Sequence, residues 1–176
     1  MKILLLPLLL ALLCADQKCA SAQGYSEFSG NWNSLVYAAN NKDKISQNGP
    51  FNILMRGIYF KDEDGTITMR TYVLVNGKCI EKIILGKKTT GDTFEIKYSG
   101  DNFFEILFAK HNTLIGRDIN VDEKGLVTKI IALLGTERHI DDEVMEKFRE
   151  FTRKEGIPEE NIINRTETGH SLPHPY

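Results

Sequence analysis

The sequence predicts a mainly β fold: an eight-stranded antiparallel up-and-down barrel, one C-terminal α-helix packed outside it, and a short final strand. Three observations predict it. Short apolar or alternating runs recur from Trp32 to Gly135, each ended by turn residues. The links are too short for crossover connections, so neighbouring runs pair antiparallel. After His139 the apolar spacing changes from a period of two to the spacing of a helix.

The runs follow in order. The first opens at Trp32, the only tryptophan, and passes through Leu35-Val36-Tyr37-Ala38-Ala39 before the polar stretch Asn40-Asn41-Lys42-Asp43. "FNILMRGIYF" (51–60) ends at Asp62-Glu63-Asp64-Gly65, and "TITMRTYVLV" (66–75) at Asn76-Gly77, a strong type I′ hairpin signal. "KCIEKIILGKK" (78–88) ends near Thr90-Gly91-Asp92, and "TFEIKY" (93–98) at Ser99-Gly100-Asp101-Asn102. "FFEILFAK" (103–110), "TLIGRDINV" (113–121) and "LVTKIIALL" (126–134) complete the set. In the helix, Asp141 is the expected N-cap, Val144, Phe148 and Phe151 form the apolar stripe, Ile140 and Met145 a staple, and Gly156 the C′ residue.

Residues 1–22 read as a signal peptide. Lys2 is a positive n-region, Ile3 to Leu13 an apolar h-region, and Ala20-Ser21-Ala22 a small-x-small cleavage site. The apolar run is too short to cross a bilayer. This predicts a secreted, extracellular protein with one domain over 23–176, of which 169–176 is a loose tail. Cleavage removes Lys2, Lys18 and Asp16, so the formal charge of the 176-residue chain moves from −2 to −3. That balance argues against a nucleic-acid partner, and no segment suggests membrane insertion. Cys14 and Cys19 leave with the signal, and Cys79 stays alone as a small buried hydrophobe, an exposed thiol or half of an intermolecular disulfide.

Alternation assigns the inward faces. Phe51, Ile53 and Met55 share one face. So do Ile67, Met69, Thr71 and Val73; Phe94, Ile96 and Tyr98; Phe104, Ile106 and Phe108; and Ile130, Ala132 and Leu134. The interior is therefore apolar and aromatic. It is either a filled core or, with Gly116, Thr71 and Ala132 as small residues, a site for one small apolar molecule. No catalytic motif, phosphate loop or paired-cysteine metal spacing stands out, and His111, His139, His170 and His174 are scattered. No enzyme activity, metal or cofactor is expected. Asn164-Arg165-Thr166 is an N-glycosylation sequon at Asn164.

Gly30-Asn31-Trp32 at the head of the first strand resembles the lipocalin G-x-W motif. "YAANNKDKI" (37–45), "NGPF" (48–51), "DINVDEKG" (118–125) and "GIPEENI" (156–162) resemble the odorant-binding protein and aphrodisin-like branch of that family, over about Gln23 to Gly169. The resemblance implies a carrier of small volatile apolar molecules, odorants or pheromones. Its pocket would use Tyr37, Phe51, Ile53, Met55, Met69, Thr71, Ile96, Tyr98, Asn102, Phe104, Ile106, Gly116, Asp118, Ile130, Ala132 and Leu134. Gly30 and Trp32 would be structural, with Trp32 closing one end of the barrel beneath a basic residue.

The chain departs from the family in several places. Gly169 in "TETG" stands where many relatives pair a cysteine with the position of Cys79. Thr136 stands where the basic residue is expected, leaving Arg138 to cover Trp32. Asp118 stands where a neutral residue is usual. Such an acid is expected at the wetted rim; inside the barrel it would favour a ligand with a donor or positive charge. Gly135-Thr136-Glu137 replaces a Gly-Lys-Gly hinge, which leaves a monomer and a domain-swapped homodimer both open. Against the carrier stand a filled-barrel interaction protein and an enzyme of the prostaglandin-D-synthase type. The latter would need a reactive thiol on the first strand, a place Cys79 does not occupy.

Overall fold

Trp32 divides the first strand. In the computed structural model, which describes residues 24–75 and 78–166, β1 (Gly30–Asn31) pairs with β3 (Ile53–Lys61), whereas β2 (Asn33–Ala39) pairs with β9 (Val127–Gly135). Between them run β4 (Thr66–Val75), β5 (Lys78–Lys88), β6 (Phe94–Lys97), β7 (Asp101–Lys110) and β8 (Thr113–Val121). Each pairs antiparallel with the next. One continuous segment, 30–39, thus bonds both margins of the sheet and curls it on itself. Ser34 completes the seam, its hydroxyl accepting from Met55 N at 2.8 Å and donating to Ile53 O at 3.2 Å.

The sheet has ten strands among the described residues, not eight in the barrel plus one. The extra strand is the division at Trp32. The last, β10 (Ile162–Asn164), is the short final strand and pairs with β2. The Asn76-Gly77 turn, the signal segment, and the tail with Gly169, His170 and His174 lie outside the described residues.

Trp32 is 2% exposed; its backbone N–H donates to Arg56 O at 3.1 Å and its indole N–H to Phe28 O at 2.9 Å. Tyr25, Phe60 and Phe94 fill the same end, with ring centroids 5.5 to 6.2 Å apart. The Asp62 carboxylate accepts from Tyr25 N and Ser26 N, both at 2.9 Å, and ties down the entering chain. The Ser26 hydroxyl also donates to it and, as the leading cause, holds Asp62 below its ordinary pKa. Arg138 does not take the expected place over Trp32. It is exposed, and the cation–ring contacts among the described residues fall on Tyr25, Tyr37, Tyr72 and Phe108.

The helix α1 (Asp142–Lys154) covers the outer faces of β2, β8 and β9. Val144 and Phe148 are buried against Leu35, Ile115, Ile131 and Leu133, as the stripe predicts; Phe151 is only half-buried and Thr152 takes the remaining inner position. Asp141 occupies the N-cap, but its side chain makes no capping bond. Gly156, at φ +70°, ends the helix. Its N–H bonds Arg153 O while Ile157 N–H bonds Thr152 O, and buried Ile157 then fixes the exit. Arg117 on β8 joins Glu105 on β7 to Glu155 at the helix end, and Lys129 reaches Glu155 at 2.9 Å.

One inward assignment fails. Phe108 packs with the helix-side core and lies under the ammonium groups of Lys110 and Lys147. A bulge between Ile106 and Phe108 inserts one residue, and one residue reverses every later side chain on the strand.

Candidate functional site

Every strand from β2 to β9 contributes to one cavity of ≈ 80 Å³. Its wall is Tyr37 (β2), Phe51, Ile53 and Met55 (β3 and the residues before it), Met69 and Thr71 (β4), Ile84 (β5), and Ile96 with Tyr98 (β6 and just beyond). Asn102 and Phe104 (β7), Gly116 and Asp118 (β8), and Ile130, Ala132 and Leu134 (β9) complete it. The inward parity of each strand puts these residues there, because a barrel has one inner face. Of the sixteen pocket residues implied by the resemblance, Ile106 alone does not line the cavity; it packs, half-buried, beside the inner core just before the bulge. Ile84 is the addition, placed inside by its register opposite Met69.

The polar atoms of the wall are mostly committed to the fold. Thr71 donates its hydroxyl to Lys82 O at 3.0 Å. Tyr98 donates to Pro50 O at 2.8 Å and its ring meets Phe51 edge-on at 5.6 Å, so the segment 40–52 is held across one end of the barrel. Lys44 to Asp122, at 2.9 Å, ties the same segment to the end of β8. The Asn102 amide donates to Tyr98 O at 2.7 Å and Ile96 O at 3.2 Å, and its oxygen accepts from Asn120 at 3.1 Å. Asn102 is therefore a loop-end clamp that lines the cavity. Tyr37 shares a hydrogen bond with Ser34 at 3.0 Å and carries the Arg165 guanidinium 4.7 Å above its ring. Burial raises the Tyr37 pKa, with Arg165 opposing, and burial lowers that of Arg165.

Asp118 is the exception: it lines the cavity and, though only half-buried as a residue, has one carboxylate oxygen enclosed. It lies on the inner face between Phe104 and Ile130 in register, and its Oδ1 is sealed from solvent without a hydrogen-bond partner. Burial alone pushes the carboxyl up to about 7. The small residues do not all leave room either. A methyl group on Gly116 would lie 2.4 Å from the Phe104 ring, so the ring occupies that space.

Cys79 is a partly exposed free thiol on β5, away from the wall. Asn164 ends β10, and its side-chain oxygen accepts from Thr166 N at 3.0 Å and Thr166 Oγ at 2.8 Å. Among the described residues no group of three His, Cys, Asp or Glu side chains could hold a metal ion, and no helix is long and apolar enough to cross a membrane.

A single inner face, closed at one end by Trp32 and enclosing an apolar cavity, is the arrangement of a lipocalin. Residues 29–169 match the model of the lipocalin / cytosolic fatty-acid binding protein family, and the chain belongs to it. Within the family it falls in the odorant-binding protein and aphrodisin-like branch. It is 33% identical to the odorant-binding protein of Bos taurus over 159 residues, 90% of this chain and 99% of that one. The crystal structure of a dog lipocalin allergen superposes with a TM-score of 0.79 at 39% identity, covering 83% of this chain and 98% of the other. The complex of bovine odorant-binding protein with undecanal gives a TM-score of 0.63 at 32% identity, covering 88% and 97%. A carrier of small hydrophobic ligands is the function this family and branch support.

Proposed function

We propose that the chain is a secreted carrier of small volatile hydrophobic molecules, odorants or pheromones, held by the sixteen residues that line the barrel cavity. The observation that carries this reading is the apolar cavity to which every strand from β2 to β9 contributes. The bovine relative solved with undecanal supports it. A ligand larger than the cavity makes room by moving the flexible Met55 and Met69 side chains and the Phe104 ring. The signal-like residues 1–22 support secretion, which would also make the Asn164 sequon usable. Titration with a fluorescent apolar probe is expected to give a Kd on the order of micromolar, which about ten buried heavy atoms supply within ligand-efficiency limits. No change in probe emission at protein concentrations far above that would favour a filled-barrel interaction protein instead.

The carrier is proposed to act as a single chain. The helix α1 lies on the barrel that precedes it, and the link is anchored by Thr136 N to Asn112 O at 3.1 Å and by Asn33 to Thr136 O at 3.1 Å. Light scattering at high concentration is expected to read a single-chain mass. A doubled mass that reverts in Glu137→Gly would establish the domain-swapped dimer.

A further inference from the structure

We propose that Asp118 makes this cavity select ligands with an apolar body and one hydrogen-bond donor head, a primary alcohol or a primary amine, over aldehydes and hydrocarbons of the same length; the proposal rests on the carrier reading above.

The argument starts from what the wall lacks. Thr71, Tyr98 and Asn102 have spent their donors on backbone carbonyls, whereas Asp118 Oδ1 has accepted nothing. Further along the same inner face, Asn120 Oδ1 and Thr128 Oγ1, partners across β8 and β9, are also buried without a partner. Those two atoms lie outside the cavity wall, so within the wall the unused acceptor is Asp118 Oδ1. An unpaired buried acceptor is costly, and a ligand that supplies a donor removes that cost as well as burying its own chain. A hydrocarbon leaves the acceptor orphaned, and an aldehyde brings a second acceptor. A bond from an alcohol or ammonium head to a carboxylate is of the strong, charge-assisted kind.

Nothing else charged faces Asp118. From β7 it meets Phe104 and from β9 Ile130. The titratable groups in the rest of the wall are Tyr37 and Tyr98, whose pKa values burial raises above the ordinary value. Arg117, next on β8, turns outward to Glu105 and Glu155. Arg165 sits over Tyr37, and its charge is felt there rather than at Asp118. Asp118 therefore titrates alone, near 7. Above that pH it accepts; below it, the neutral acid donates and can serve an aldehyde carbonyl.

The test measures binding of octan-1-ol, octan-1-amine, octanal and octane by displacement of an apolar fluorescent reporter, well below and well above pH 7. Above it, the alcohol and amine are expected to bind about tenfold more tightly than the aldehyde and alkane. Below it, the alcohol is expected to lose most of its advantage over the aldehyde. Asp118→Leu should bind octane more tightly and show no donor preference at either pH. Asp118→Asn, nearly isosteric, should still bind the alcohol but without pH dependence. Wild-type affinities for all four ligands within about twofold at both pH values, or a donor preference surviving in Asp118→Leu, would overturn the proposal while leaving the carrier intact. Failure of the reporter and all four ligands to bind would overturn the carrier reading itself, and this proposal with it.

Discussion

Phe104→Asp is expected to weaken binding of an apolar probe by about a hundredfold or more, while Phe103→Asp, one residue earlier, leaves it within about twofold. The two substitutions are the same chemical change on opposite faces of β7. Phe104 is 7% exposed, lines the cavity and rests its ring on Gly116; Phe103 is 39% exposed on the outside of the barrel. An aspartate at 104 does three things at once. It removes the largest apolar surface on that wall. It puts a charge where water cannot follow. It also sets a second carboxylate directly across from Asp118, its register partner, and like charges at that distance raise each other's pKa. Probe titration reads the result, and circular dichroism reports whether the barrel persists. Gly116→Val supplies a second route to the same test, because its side chain would drive the Phe104 ring into the cavity without adding charge. Undiminished binding in both Phe104→Asp and Gly116→Val would place the ligand elsewhere.

The inner wall was legible because alternation is a local property and a barrel offers only one inside. Strands with one clean alternation, such as Phe94-Glu95-Ile96-Lys97, could be assigned from residue type alone. "KCIEKIIL" could not, because Ile83, Ile84 and Leu85 are all apolar. Only the pairing of Met69 with Ile84 puts Ile84 inside, leaving Ile83 and Leu85 57% and 66% exposed. Alternation misplaces Phe108 for a related reason. The bulge after Ile106 has no marker such as Gly or Pro in "FFEILFAK", and the helix-side core it serves is built from distant residues. The divided first strand was equally hidden, since Gly30-Asn31-Trp32 names a motif but not which neighbours its two halves pair with. Asp118 shows the limit most clearly. Alternation puts it on the same face as Gly116 and Asn120, yet residue type argues for water, and only the assembled barrel decides for the interior.

That interior position carries a cost whose pH dependence has a definite sign. In the folded chain Asp118 holds its proton to about 7, and in the unfolded chain to about the ordinary 3.8. Between those values the folded state binds the extra proton, so stability falls as pH rises through the window and levels off above it. The difference corresponds to about 4 kcal/mol, an upper figure for a carboxyl that neighbouring side chains and water can accommodate. The other shifted acids act elsewhere. Asp62, Asp122, Glu146 and Glu155 are all held below their ordinary values, by hydrogen bonds to Ser26, Lys44, Arg153 and Lys129 respectively, and their contributions are lost only at lower pH. Urea unfolding of wild type and Asp118→Asn across the window isolates the term, because the amide matches the carboxyl in shape and does not titrate. Near pH 4 the amide's own unpaired donors should make the variant equal to wild type or slightly weaker. By pH 8 it should have gained about 2 to 4 kcal/mol on wild type. A stability difference that stays constant from pH 4 to pH 8 would mean that Asp118 keeps an ordinary pKa in the folded protein and is reached by water.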